Sequence, residues 1–168
     1  MSIVLFINGN LGLRVLDFVT DSPKCQITAV ILNSDVKRTP GYLEEVSHIL
    51  VKKNLNPLVV KWDPDFLYSN DLKLLFEHCK FGVSALFGHV LPSELIEKFS
   101  GGILNLHPSL LPIGRGADPI PWGIIERQKQ GISIHLIDQN LDTGDIVFQK
   151  EIPSNNMMNA GEIYEIAM

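Results

Sequence analysis

Short apolar runs alternate with longer amphipathic stretches from residue 1 to residue 106. The run Ile3–Ile7 is rich in β-branched residues, which predicts a strand that is buried on both faces. The stretch Leu13–Val19 has apolar residues at helical spacing, and the glycine-rich residues before it predict a turn. The alternation then repeats, with predicted strands at Gln26–Leu32, Pro57–Val60, Phe81–Leu86 and Gly102–Leu106 and predicted helices at Leu43–Lys53, Asp71–Cys79 and Ser93–Phe99. This order predicts an α/β fold, a Rossmann-like, mostly parallel twisted sheet with helices on both faces.

The pattern changes after His107. The residues Pro119–Arg127 predict a helix, and Asp145–Gln149 predict a strand. Within Gly131–Ile137 apolar and polar side chains alternate, so that one face carries Ile132, Ile134 and Leu136 and the other carries Ser133 and His135. Two strands separated by a turn rich in Asp and Gly predict an antiparallel edge extension of the sheet.

The residues Ala160–Met168 predict a last helix, with no glycine, proline or basic residue to close it. We therefore expect one domain, residues 1–168, that is shortened at its C-terminus. A chain of 168 residues with 45% hydrophobic content is large enough to bury a core of its own.

Composition and charge narrow the classes of function. A net charge of -5 argues against a general nucleic-acid surface. No apolar run has membrane-spanning length, and the N-terminal residues predict a first strand instead of a signal peptide, so we expect a cytoplasmic protein without a membrane partner. Cys25 and Cys79 lack metal-ligand spacing, so we expect two reduced thiols and no metal.

Candidate ligand-binding residues follow the predicted strands. Parallel sheets bind ligands at the carboxyl ends of their strands, where Gly9, Gly88 and Asn105 are expected. The residues Asn8–Gly12 suit a phosphate seat at the start of a helix, but they lack the spacing Gly-x-Gly-x-x-Gly, which slightly favours a tight turn that needs glycine. The residues Asn33–Tyr42 carry charges, proline and glycine, and they predict a polar loop.

Asn105 and His107 are two residues apart at the end of a predicted strand, so strand geometry directs both to one face. A carboxamide can hold the oxyanion of a tetrahedral intermediate, and an imidazole can exchange a proton near neutral pH. A carboxylate beside the imidazole would orient it, and we choose Asp142 for this role over Asp138 and Asp145. Taken singly, each of these residues also suits a plain loop or turn.

The residues Asn105–Pro112 read Asn-Leu-His-Pro-Ser-Leu-Leu-Pro, and Leu141–Asp145 read Leu-Asp-Thr-Gly-Asp. Together they resemble the signature of the folate-dependent formyltransferases, which include glycinamide ribonucleotide, methionyl-tRNA and sugar N-formyltransferases. The resemblance implies 10-formyltetrahydrofolate as donor, no metal, and a catalytic triad of Asn105, His107 and Asp142. It also implies that the folate is bound by Phe87, Gly88, His89, Val90 and Leu91, with contributions from Asp138 and Asn140.

The resemblance further implies a mechanism in which the substrate amine attacks the formyl carbon directly. Asn105 and protonated His107 would stabilise the oxyanion, and Asp142 would support His107. A different class of function stays open, that of a fragment that binds folate or a nucleotide without turnover.

The acceptor is suggested by Arg115–Trp122, which read Arg-Gly-Ala-Asp-Pro-Ile-Pro-Trp and resemble the sugar branch of the family most. The tRNA branch shares Leu-Asp-Thr-Gly-Asp but carries an additional basic domain, and the glycinamide branch usually lacks Arg-Gly-Ala-Asp-Pro. We therefore expect a nucleotide-linked amino sugar, formylated for a surface lipopolysaccharide. Its diphosphate would meet Asn8, Gly9, Asn10 and Arg115, and a homodimer is compatible with the resemblance.

Three further side chains have two interpretations each. Trp62 and Trp122 suit packing better than the stacking of a base or pterin. His135 suits the border of the pocket or an ordinary surface position.

Overall fold

The computed structural model describes residues 1–33, 41–63, 79–155 and 157–167. The chain divides into two compact units, Met1–Ile103 and Leu104–Met168. The single domain expected over residues 1–168 stays a prediction. The predicted helix Asp71–Cys79 falls almost entirely outside the described residues, as does most of the predicted polar loop after Asn33.

The first unit is built on parallel strands. These are β1 (Ser2–Ile7), β2 (Gln26–Leu32), β3 (Leu58–Lys61) and β4 (Phe81–Ala85). Their order is β3-β2-β1-β4, with β1 paired in parallel to both β2 and β4. Every residue of β1 after Ser2 is buried, as its unbroken apolar run predicts. At the first residues of β4, the Gly82 N–H donates to the Gly102 carbonyl at 3.0 Å.

The helices described for the first unit are α1 (Gly9–Thr20), α2 (Tyr42–Lys52) and α3 (Ser93–Ile96). The turn predicted ahead of Leu13 is wrong in extent, because α1 already begins at Gly9 and the Gly12 N–H donates to the Asn8 carbonyl at 3.1 Å. Gly9, with a φ of +60°, supplies the change of direction in a single residue, so no longer turn is needed. The α3 helix is shorter than predicted and passes into turns before Phe99.

The second unit contains the antiparallel part of the fold. Its strands are β5 (Ile103–His107, which begins at the last residue of the first unit), β6 (Gly131–Leu136) and β7 (Ile146–Glu151). Its helices are α4 (Pro119–Ile125) and α5 (Ala160–Ala167). The β6 strand pairs antiparallel with both β5 and β7. The predicted α/β class, mostly parallel with an antiparallel extension, is confirmed.

The structure decides the open alternatives for His135, and the packing predicted for Trp122 is wrong. In β6 the polar face is the buried one, with Ser133 0% and His135 1% exposed, because both side chains find hydrogen-bond partners inside the protein. Trp122 is 56% exposed and packs little, whereas Trp62 is buried as expected.

None of the described helices combines the length and hydropathy required to cross a bilayer.

The contact between α1 and β1 depends on a glycine, which generates a first prediction. A Cβ at Gly12 would lie 2.9 Å from Ile7 Cβ and would also meet the Tyr42 hydroxyl. Gly12→Ala should therefore lower the free energy of unfolding by about 1–3 kcal/mol, measured by urea denaturation. The control is Gly161→Ala in α5, where the added methyl group meets only the Asn159 side chain, and stability should change by less than about 1 kcal/mol. Equal effects of the two substitutions would contradict this account.

Candidate active site

Polar side chains meet in the second unit where β5 ends. The register of the antiparallel pair places Asn105 opposite His135 and His107 opposite Ser133. Because opposite residues of paired strands share a face, both histidines and Asn105 lie on the same side of these two strands. Asn105 and His107 thus share a face, as the alternation predicted, and β6 adds the side chain of His135 to this face.

His107 is 6% exposed and is held by contacts at both ring nitrogens. Its Nε2 lies 2.7 Å from the Gly114 carbonyl oxygen, and its Nδ1 lies 3.6 Å from Asp142 Oδ2. A carbonyl can only accept a hydrogen bond, so Nε2 carries a proton in this arrangement. A second proton, on Nδ1, would face the carboxylate.

Asp142 connects these groups. Its Oδ2 accepts the Gly116 N–H at 2.8 Å, and its Oδ1 lies 3.4 Å from His135 Nε2. The residue has a φ of +51°, a left-handed conformation that Asp adopts more readily than most residues. Among the described residues it is the member of the Asp138, Asp142 and Asp145 group that forms ion-pair contacts with the histidines. The structure therefore brings Asn105, His107 and Asp142 together, while their catalytic roles stay predictions.

His135, for which the sequence left the border of the pocket and a surface position open, contacts both Asn105 and Asp142. Its Nδ1–H donates to the Leu136 carbonyl at 2.8 Å, and its Nε2 lies 3.1 Å from Asn105 Nδ2. When the ring is neutral, Nε2 accepts one of the two amide hydrogens of Asn105. The signal that could have found His135 is the register of β5 against β6, which sequence alternation does not supply.

The electrostatics of the site favour a charged pair. Burial acts to lower the pKa of His135, but the bond to Asp142, the Leu136 carbonyl and the charges of Asp142 and Asp138 raise this pKa above its ordinary value. Burial likewise acts to raise the pKa of Asp142, and the bonds from His135 and Gly116 and the charge of His107 lower it overall. A carboxylate and an imidazolium are thus stabilised together inside the second unit.

The loop that follows His107 is fixed by Ser133. The Ser133 hydroxyl donates to the Ser109 carbonyl at 2.6 Å and accepts the Leu111 N–H at 3.0 Å. Gln149 of β7 donates to the Leu111 carbonyl at 2.7 Å and to the Ser133 hydroxyl at 2.9 Å. These bonds hold residues 109–111 against β6 and β7, so the loop that carries Gly114 starts from a fixed position.

The remaining predicted residues of the second unit lie in turns. Asp138 accepts the Asn140 N–H at 3.0 Å and the Thr143 hydroxyl at 2.7 Å, so its carboxylate shapes the turn ahead of Asp142. Asn140 is exposed. Arg115 is also exposed and stands between Gly114 and Gly116, whose backbones contact His107 and Asp142.

The predicted residues of the first unit lie after β4 and at the start of α1. Phe87 and Leu91 are buried, and His89 is half-buried, while Gly88 and Val90 are exposed. Among the predicted diphosphate contacts, Asn8 and Gly9 are half-buried and Asn10 is exposed.

The arrangement in the second unit can act on a carbonyl compound. An amide N–H and an imidazole N–H are hydrogen-bond donors for a developing oxyanion, and the carboxylate holds the imidazole in place. In the described part of the chain no group of three or more His, Cys, Asp or Glu side chains could hold a metal ion.

Comparison with known proteins decides the family. Residues 2–166 match the family model described as Formyl transferase. The chain belongs to the formyltransferase family. The methionyl-tRNA formyltransferase of Clostridium novyi is 34% identical over 130 residues, which cover 75% of this chain and 41% of that protein. The chain thus spans less than half the length of this curated relative.

Solved structures of the family share the fold. Phosphoribosylglycinamide formyltransferase from Bacillus halodurans has a TM-score of 0.78 at 22% identity, with 99% of this chain and 87% of that chain covered. A sugar N-formyltransferase from Shewanella has a TM-score of 0.69 at 23% identity, with 98% and 62% covered. The formyltransferase PseJ from Anoxybacillus kamchatkensis, in complex with UDP-4,6-dideoxy-4-formamido-L-AltNAc and tetrahydrofolate, has a TM-score of 0.55 at 26% identity, with 82% and 66% covered.

The raised pKa of His135 generates a prediction about stability. A histidine whose folded pKa is raised stabilises the fold fully below its unfolded pKa, and this contribution is lost as the pH rises through the folded pKa. The difference in the free energy of unfolding between the wild type and His135→Gln should therefore be largest near pH 6 and shrink by about pH 9. Urea denaturation across this range measures it.

The control for this experiment is His48→Gln, which removes an exposed histidine of α2. If the wild type loses no stability relative to His135→Gln as the pH rises, or if the control shows the same trend, the charged pair with Asp142 is not the cause.

Proposed function

We propose that this chain transfers the formyl group of 10-formyltetrahydrofolate to a primary amine. The observation that carries the proposal is the cluster of Asn105, Asp142 and the buried His107 and His135 in a member of the formyltransferase family. The tetrahydrofolate bound to PseJ supports the choice of donor.

The reaction begins with attack of the neutral amine on the formyl carbon. A tetrahedral intermediate forms, and the bond from its carbon to the folate nitrogen then breaks. The amine loses one proton and the departing folate nitrogen gains one, so that the products are a formamide and tetrahydrofolate. In the neutral form of His135, one of the two hydrogens on Asn105 Nδ2 is directed to His135 Nε2 at 3.1 Å. The other is the donor that we assign to the oxyanion.

His107 supplies the second donor in this mechanism. Its Nε2–H is directed to the Gly114 carbonyl, so the formyl oxygen takes the place of that carbonyl as the acceptor. Asp142 lies 3.6 Å from the other ring nitrogen and orients the ring. Asp142 then helps to relay the proton that the amine loses.

We assign the folate donor to residues 87–91 and to the turn of Asp138 and Asn140. Since Phe87 and Leu91 are buried and Gly88 is exposed, the first of these segments offers mainly backbone groups. Backbone N–H and C=O groups suit the pterin ring, whose edge carries hydrogen-bond donors and acceptors.

For the acceptor we propose a nucleotide-linked amino sugar. The sequence Arg115–Trp122 resembles the sugar branch, and PseJ binds a UDP-linked formamido sugar. The exposed guanidinium of Arg115 suits a phosphate, and its neighbours Gly114 and Gly116 contact His107 and Asp142. Asn8, Gly9 and Asn10 at the start of α1 are further candidates for the diphosphate.

Methionyl-tRNA is the second candidate acceptor. It is favoured by the curated relative from Clostridium novyi, a methionyl-tRNA formyltransferase that is 34% identical to this chain.

A panel of acceptors tests the proposed function. The chain is incubated with 10-formyltetrahydrofolate and, separately, with nucleotide-linked amino sugars, methionyl-tRNA and glycinamide ribonucleotide, and formamide products are detected by mass spectrometry. A formylated sugar supports the proposal, and formylation of tRNA alone transfers the function to the second candidate. Folate binding without any formylated product would indicate a binding fragment instead of an enzyme.

Two substitutions test the roles of the site residues. His107→Ala and Asp142→Asn should each lower kcat by about 10²–10³-fold, because each weakens stabilisation of the oxyanion. Folate binding, measured by fluorescence titration, should stay close to the wild-type value, since neither residue is assigned to the donor. The matched control is His48→Gln on the exposed face of α2. Wild-type rates in both site variants would place the chemistry elsewhere.

A further inference from the structure

The segment that leaves β4 has an unusual backbone. Leu86 has a φ of +51° and Gly88 has a φ of +76°, both in the left-handed region. This conformation costs a residue with a Cβ about 1–2 kcal/mol, so Leu86 keeps it only where surrounding contacts hold it. The residues that follow Leu86 are held by the side chain of Asn33, which contacts Phe87 and His89.

Asn33 directly follows β2, and both the nitrogen and the oxygen of its side-chain amide form hydrogen bonds to this segment. Its Nδ2 donates to the Phe87 carbonyl oxygen at 2.5 Å, and its Oδ1 lies 3.1 Å from His89 Nε2. Because Nδ2 is the donor to Phe87, Oδ1 is an acceptor and His89 donates from Nε2. One short side chain thereby spans residues 87–89.

Gly88 shows how closely the amide approaches. A Cβ at this position would lie 3.0 Å from Asn33 Nδ2, closer than a side chain normally packs. Two features favour glycine at position 88. Its φ lies in the left-handed region, and the Asn33 amide leaves little room for a Cβ.

The aromatic rings beside the segment complete its surroundings. The Phe87 ring is 2% exposed and packs edge-on against Trp62 and His89, with ring centroids 5.5 Å and 5.3 Å away. The Trp62 backbone N–H donates to the Leu32 carbonyl at 2.7 Å, next to Asn33 in the chain. With the ring of Phe87 buried in this way, the segment presents the backbone of Gly88 and Val90 to solvent.

We propose that Asn33 is a positioning residue that fixes the backbone of residues 86–89 in the conformation that binds the folate donor. The inference rests on the proposed function, which assigns residues 87–91 to the donor. A ligand recognised by backbone groups gains affinity when those groups are ordered before it arrives, because the cost of ordering them is not taken from binding. Asn33 supplies that order without contacting the reacting atoms.

Asn33→Ala is the first test. It removes both hydrogen bonds, so KM for 10-formyltetrahydrofolate should rise roughly tenfold, with kcat and KM for the amine nearly unchanged. Hydrogen exchange followed by mass spectrometry should show faster exchange in a peptide that contains residues 87–90. A residue with a merely structural role would lower the active fraction instead of changing the KM of one substrate alone.

Asn33→Asp separates the two bonds. The carboxylate keeps an acceptor for His89 but loses the donor to Phe87 and faces its carbonyl oxygen, so donor KM should rise at least as much as with Asn33→Ala. The matched control is Asn155→Ala, which removes an exposed amide that accepts the Met157 N–H at 2.9 Å. Circular dichroism of each variant shows whether it is folded, and hydrogen exchange applies to every folded variant.

The outcomes separate the two proposals. Donor KM and exchange equal to the wild type in a folded Asn33→Ala overturn the positioning role and leave the proposed function intact. A wild type that neither binds nor uses the folate overturns the proposed function and, with it, the role of Asn33 toward the donor. A rise in donor KM in both Asn33 variants, but not in Asn155→Ala, supports the inference.

Discussion

Only 11% of the Asp142 side chain is exposed, and the contacts around its carboxylate compensate for this loss of water. A carboxylate that is largely removed from water is destabilised unless its oxygens find hydrogen-bond donors or positive charge. Asp142 obtains them from the Gly116 N–H, at 2.8 Å, and from the two histidines. The left-handed turn at Asp142 is the local condition for bringing the carboxylate to these partners.

The contacts of Asp142 also hold the loop that follows His107 in place. The loop that carries Gly114 and Gly116 is anchored at its start by Ser133 and further along by Asp142 and His107. Any ligand that displaces the Gly114 carbonyl from His107 therefore acts on a ring that is already fixed at its other nitrogen. Preorganisation of this kind is where the electrostatic part of catalysis originates, because little reorientation remains for the reaction itself.

Local sequence patterns predicted the features that depend on residues close together in the chain. Two-residue periodicity placed Asn105 and His107 on one face, and the motif of Leu141–Asp145 identified Asp142 among its neighbours. The burial of His135 was not predicted, because alternation shows which residues share a face but not which face is buried. A polar face is also an unusual surface for a core. The contacts of Asn33 were not predicted for a related reason. It begins a predicted polar loop, and its hydrogen-bond partners are 54 and 56 residues away in the chain.

The proposed catalytic residues and the proposed folate-binding segment differ in how far the sequence alone can predict them. Side-chain chemistry leaves its residues in the sequence, as Asn105 and His107 do. Recognition by backbone groups leaves no such record, because the sequence Phe-Gly-His-Val-Leu specifies little about the direction of its own carbonyls. In the first unit the Asn33 amide donates to the Phe87 carbonyl, and the absence of a side chain at Gly88 leaves room for this amide. A backbone site is therefore specified by the residues that hold it, and these residues need touch neither the ligand nor each other in sequence.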